Sequence, residues 1–177
     1  MKMKKISAVA AALLCALLSL NAFAADMPKE GTTAPALTLQ NQQGKPTSLA
    51  DFTGKWIVLY FYPKDFTHGC SLEARNFQED EAKYTGKNAV ILGVSTDSPD
   101  SHKEFCAKEV LNFMLLADAD HAVSDLYGSS MSLGVATVSA RNTFLIDPKG
   151  VIRKTYEGVD PANHSDEVLA DLATLQK

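Results

Sequence analysis

The chain has 177 residues, 46% of them apolar, with 17 Lys and Arg against 21 Asp and Glu for a net charge of −4. That length and apolar content support one domain with a core of its own. Dispersed basic residues exclude a nucleic-acid surface or a basic membrane-binding face, and no repeat, low-complexity tract or long linker breaks the chain.

Residues 1–24 read as a secretory signal: a basic stretch at 1–5, an apolar run at 6–20, and Ala22-Phe23-Ala24 as a small-x-small cleavage site. The apolar run is short for a membrane span. Cys15 follows Leu14 rather than a small residue, which argues against a lipoprotein. The expectation is a single domain over 25–177, exported to the periplasm. Export leaves two cysteines, Cys70 and Cys106. In an oxidising compartment a pair can be a structural disulfide or a redox-active couple, and the residues alone leave both open.

Elements follow in chain order. A short strand is expected at 36–39, a polar turn at 41–44, and a strand buried on both faces at 56–62. A helix should run from about Cys70 to Tyr84, ending near Gly86, and a second buried strand spans 89–95. Ser98, Pro99 and Asp100 open a helix well, as N-cap, first-turn proline and first-turn acid, and that helix should carry Cys106 and reach about Glu109. A short strand at 113–116, a helical turn at 122–127, a core strand at 142–147, a hairpin partner at 151–156 and an amphipathic helix at 163–175 complete the pattern. This order predicts an α/β domain of thioredoxin-like fold, with a mixed central sheet flanked by helices.

Cys70 is the residue placed for chemistry. It follows an apolar strand and a short polar loop and opens a helix, where unpaired backbone N–H groups and the positive end of the helix dipole favour thiolate over thiol. Thr67, three residues before, reads on its own as an N-cap; Pro63 as a strand terminator; Arg141 as a surface arginine at a strand edge.

Taken together these residues resemble a family. Pro63-x-x-x-Thr67-x-x-Cys70 matches the active-site signature of peroxiredoxins, and Tyr60-Phe61-Tyr62-Pro63-Lys64-Asp65-Phe66-Thr67 is very similar to the branch called peroxiredoxin Q or bacterioferritin comigratory protein. The likeness continues through Gly93-Val94-Ser95-x-Asp97-Ser98, Ser101-His102-Lys103-x-Phe105, Leu115-Leu116-Ala117-Asp118 and Arg141-x-Thr143-Phe144-Leu145-Ile146-Asp147-x-x-Gly150. The resemblance implies a thiol peroxidase acting on hydrogen peroxide and small organic hydroperoxides. Cys70 would attack one peroxide oxygen, Thr67 would bond sulfur and peroxide, Pro63 would shield the pocket, and Arg141 would supply a fixed cation. Many members of the branch carry a resolving cysteine five residues after the first. Here that position is Arg75, so the resemblance implies resolution by Cys106, as in a second subgroup, through an intramolecular disulfide that requires local unwinding.

One departure is His68, where most relatives have proline; it reads as a solvent-facing loop residue. His102, His121 and His164 are scattered, so no metal and no organic cofactor is expected. A thioredoxin-like protein is the expected reductant, and a monomer is expected over a dimer. Two alternatives stand beside this reading: a periplasmic disulfide reductase, although Ser71-Leu72-Glu73 follows Cys70 without the Cys-x-x-Cys that chemistry uses, and a non-catalytic binding domain with a permanent 70–106 disulfide.

Overall fold

A computed structural model describes residues 26–177. The secretory signal expected at 1–24 therefore lies outside the described residues. Strand β3 (Trp56–Phe61) forms the spine of the domain, and all six of its residues are buried. Its side chains alternate between two cores. Trp56, Val58 and Tyr60 face one side, while Ile57, Leu59 and Phe61 face the other. Period-two alternation with both faces apolar explains why this stretch shows no polar side.

Around the spine, β1 (Thr38–Asn41), β2 (Pro46–Ser48), β4 (Ala89–Ser95), β5 (Met114–Ala117), β8 (Asn142–Ile146) and β9 (Ile152–Glu157) make a seven-stranded mixed sheet in the order β2-β1-β5-β4-β3-β8-β9. β3, β4 and β5 run parallel. β8 is antiparallel to β3, β9 to β8, and β1 to both β5 and β2. Helices α1 (His68–Glu79), α2 (Glu81–Gly86), α3 (Pro99–Glu109) and α5 (His164–Leu175) contribute Phe77, Tyr84, Phe105 and Leu172 to the core that also holds Tyr60. α4 (Ala122–Leu126) contributes Val123 to the opposite core, with Phe144. The architecture is the mixed α/β, thioredoxin-like one expected from the element order.

Some boundaries moved for identifiable reasons. β1 lies two residues later than 36–39, because its C-terminal half pairs with β5 (Gln40 with Ala117, Asn41 with Leu116). The helix expected from Cys70 to Tyr84 starts earlier, at His68, and is two helices, broken at Asp80. That carboxylate accepts from Lys83 at 2.6 Å and from Ser165 Oγ at 2.7 Å, anchoring the break to α5. The pattern gave no sign of a serine-rich hairpin, β6 (Ser130–Ser132) with β7 (Thr137–Ser139). α3 has the expected start: Ser98 accepts from Ser101 N, with Pro99 at the first helical position.

Candidate active site

The loop leaving β3 is shaped before it reaches the cysteine. Tyr62 and Asp65 are buried, while Phe66 takes the left-handed conformation (φ 63°) that bulky residues rarely adopt. Thr67 then has N-cap backbone geometry, and its carbonyl accepts the first helical bond from Ser71 N at 2.9 Å. Its hydroxyl donates to Lys64 O at 3.0 Å. The hydroxyl expected on the sulfur is therefore turned back into its own loop, because the chain reverses tightly between Lys64 and Thr67. His68 is exposed as expected, yet it belongs to the first turn of α1 rather than to the loop.

Cys70 is the third residue of α1 and 1% exposed. Arg141, immediately before β8, donates from Nη2 to Cys70 Sγ at 3.1 Å and from Nη1 to Glu73 Oε2 at 2.6 Å. Cys70 and Glu73, three residues apart on one helix, are neighbours on the same face, so one guanidinium reaches both. The other Glu73 oxygen meets His164 Nδ1 at 2.9 Å. The buried Glu73 charge is tolerated because both of its oxygens are hydrogen-bonded, one to the partly exposed Arg141 and one to His164. The close approach also needs Gly69: a Cβ there would stand 2.9 Å from Arg141 Nη2. Pro63 sits half-buried at the exit of β3.

A second buried cluster joins this loop to α3. Asp65 accepts from Tyr62 OH at 2.7 Å and Ser101 Oγ at 2.7 Å, and pairs with His102 Nδ1 at 2.9 Å. Burial by itself pushes the Asp65 carboxyl up, but the bonds from His102, Ser101 and Tyr62 outweigh it and hold the group below its ordinary value. At the other end of α3, Glu109 accepts from Ser71 Oγ at 2.9 Å and Arg75 Nε at 2.7 Å. Between these ties lies Cys106, buried on α3. Its thiol is pushed up to about 12 by burial, with the charge of Asp65 adding to the effect. Cys70 and Cys106 are both free and buried in this structure.

Sequence reading picked out Cys70, Thr67, Pro63, Arg141 and Cys106, and missed Glu73, His164 and the Asp65–His102 pair. Glu73 carried a usable signal, being a carboxylate one helical turn from the cysteine on a face that must be buried. His164 carried none, since its partner is 91 residues away.

A helix-borne cysteine set against a partly buried, carboxylate-held arginine on a thioredoxin-like sheet defines a class: enzymes that use sulfur as a nucleophile and stabilise the charge that leaves. Comparison with known proteins resolves the class further. Residues 31–155 match the model of the AhpC/TSA family, and the chain belongs to that family, within its peroxiredoxin Q/Bcp branch. Peroxiredoxin Bcp of Bacillus subtilis is 38% identical over 151 residues, spanning 83% of this chain and 96% of the relative. Peroxiredoxin Bcp of Escherichia coli is 39% identical over 147 residues, spanning 80% and 93%. Among solved structures, peroxiredoxin Q of Xanthomonas campestris superposes with a TM-score of 0.75 at 36% identity, covering 80% of this chain and 92% of that one. The same Xanthomonas protein has been solved as two cysteine-to-serine variants whose positions are 36 residues apart. This chain is a thiol peroxidase, which sets aside the disulfide-reductase and client-binding alternatives.

Proposed function

We propose that Cys70 is the peroxidatic residue and Cys106 its resolving partner. The Cys70 thiolate attacks one peroxide oxygen in line with the O–O bond. The S–O bond forms and the O–O bond breaks, sulfur supplies two electrons, and the other oxygen leaves as hydroxide or alkoxide and takes up a proton. The observation that carries this reading is Arg141 Nη2 at 3.1 Å from Cys70 Sγ. A fixed cation there holds the anionic sulfur and meets the negative charge that develops on oxygen, without reorganising during the step. Thr67 Oγ, which donates to Lys64, keeps lone pairs that can accept the hydrogen of a peroxide. Pro63 shields the reactive sulfur.

The second step joins the Cys106 thiol to the Cys70 sulfenic acid, forming the disulfide and releasing water. Two observations support it. The two cysteines are 36 residues apart, the separation of the two substituted positions in the Xanthomonas relative. Cys106 also sits on a helix tied to the Cys70 region at both ends, by Asp65 and by Glu109. Both cysteines are buried, so local opening of α3 and of the first turn of α1 precedes bond formation. A thioredoxin-like dithiol protein returns the enzyme to its reduced form. With residues 1–24 acting as a secretory signal, the enzyme and its reductant would meet in the periplasm, the enzyme as a monomer. Substrates are hydrogen peroxide and small organic hydroperoxides; the bacterioferritin comigratory protein of Xanthomonas campestris, 35% identical to this chain, is a relative with alkyl peroxide reduction activity.

The test is an intact mass of the reduced mature protein before and after one equivalent of hydrogen peroxide. Loss of about two mass units is expected, from a Cys70–Cys106 disulfide. A gain of about sixteen retained as sulfenic acid overturns the resolving role, and an unchanged mass overturns the peroxidatic role.

A further inference from the structure

Glu73 presents one oxygen to Arg141 and the other to a histidine from a different helix. The contacts run in a line: His164 Nδ1 to Glu73 Oε1 at 2.9 Å, Glu73 Oε2 to Arg141 Nη1 at 2.6 Å, and Arg141 Nη2 to Cys70 Sγ at 3.1 Å. His164 is the first residue of α5 and its side chain is fully buried, while that of Glu73 is 1% exposed. The imidazole is walled by two aromatic rings, Phe77 at 5.2 Å and Tyr156 at 5.7 Å, and its Nε2 has no hydrogen-bond partner. An ionised carboxylate only accepts, so Nδ1 carries the hydrogen in this contact.

We infer that His164 is a positioning residue for the peroxide step, holding Glu73 in the orientation that keeps Arg141 on the sulfur. The inference rests on the peroxidatic reading of Cys70. The physical reason lies in the freedom of a glutamate side chain. Its carboxylate can rotate, and Arg141 fixes only one of its oxygens. Without His164, Oε1 would be left buried without a donor, and the carboxylate would turn to share both oxygens with the guanidinium. Turning it moves Nη2 relative to Cys70, and a misplacement of about 1 Å at a reacting centre can cost on the order of a hundredfold in rate. A merely structural histidine would affect stability and leave the sulfur unchanged.

The experiment compares the mature reduced wild type with His164→Leu, His164→Asn and Val168→Ala. Two quantities are read: the rate of Cys70 oxidation by hydrogen peroxide, and the pH midpoint of Cys70 alkylation by iodoacetamide. His164→Leu is expected to slow oxidation by roughly tenfold to a hundredfold and to move the midpoint upward. His164→Asn, whose amide nitrogen can occupy the place of Nδ1, should recover most of both. Val168→Ala removes buried packing from the same helix and should leave both unchanged while lowering stability. Wild-type behaviour in His164→Leu, or an equal midpoint shift in Val168→Ala, overturns the inference. Imidazole nitrogen NMR of the wild type needs no variant to fold: hydrogen on Nδ1 with bare Nε2 is expected, and hydrogen on Nε2 alone overturns it. A wild-type Cys70 that hydrogen peroxide does not oxidise overturns the peroxidatic reading instead, a result distinct from any difference in alkylation between wild type and His164→Leu.

Discussion

Arg141 and Cys70, 71 residues apart in the chain, meet at 3.1 Å, and the same guanidinium is held by Glu73 at 2.6 Å. Planar geometry makes this double contact available to arginine and not to lysine, whose ammonium is a single point. Arg141→Lys is therefore expected to lower the second-order rate of peroxide reduction by about a hundredfold while the protein stays folded. A rapid-quench mass assay checks it; a loss under a few-fold would mean that charge alone suffices.

Gly69 makes room for that contact. A Cβ would press on Arg141 Nη2 at 2.9 Å and lie 3.7 Å from Pro161 Cγ. The φ of Gly69 is not in the left-handed region, so strain is steric and confined to the arginine. Gly69→Ala should cost little stability, because alanine favours the helix by about 1 kcal/mol relative to glycine. It should nevertheless reduce peroxidase activity at least tenfold by displacing the guanidinium. Thermal unfolding and initial rates on the same sample separate the two effects.

Cys106 should be silent until α3 opens. Burial, then the charge of Asp65, push its thiol from 9.0 up to about 12. A raised value means that the folded helix favours the protonated form, so this contribution to helix stability is complete below about pH 9 and is lost as the pH climbs toward 12. In a Cys70→Ser variant, labelling of Cys106 by a thiol reagent at neutral pH is expected to be slow and to accelerate in urea well below the global transition. Fast labelling without denaturant would mean that Cys106 is already accessible.

Glu109 ties the end of α3 to Ser71 and Arg75, next to Cys70 on α1. Arg75 is more than half exposed, so its ion pair is worth about 0.5 kcal/mol, with the Ser71 bond adding about 1 kcal/mol. Glu109→Gln should shift the opening equilibrium several-fold towards the open form. Disulfide formation after peroxide should speed up, and over-oxidation of Cys70 at high peroxide should fall. Stopped-flow oxidation and mass analysis of sulfinic acid report on each.

Asp65 makes the larger tie, since its oxygens take hydrogen bonds from Tyr62, Ser101 and His102. Its carboxyl lies below the ordinary value of 3.8, so the stability it confers is present above that pH and lost as pH falls through the depressed value. Asp65→Asn is expected to cost about 3 kcal/mol, because it leaves His102 buried without its charged partner. Denaturant titrations at several pH values should also show a flatter acid limb in the variant.

Much of this was legible in the sequence, for local reasons. Period-two and continuous apolar runs located β3, β4 and β8, because a strand buried on both faces has no other way to be written. Ser98 and Pro99 marked the start of α3 because capping acts within one turn. The pairing of strands whose neighbours lie far along the chain, and the break at Asp80, were not legible. Each is decided by a partner from another element, β5 for β1 and Ser165 for Asp80.

The same division runs through the site. By itself the sequence determined that Cys70 would stand in the first turn of a helix, behind Thr67 and Pro63, because strand, loop and cap are short-range signals. Only the tertiary structure decided that Thr67 turns its hydroxyl to Lys64, that Glu73 holds Arg141, and that His164 from the last helix reaches Glu73. Buried charge accounts for that difference. A carboxylate and a guanidinium removed from water must find donors and acceptors wherever the fold supplies them, at any distance along the chain.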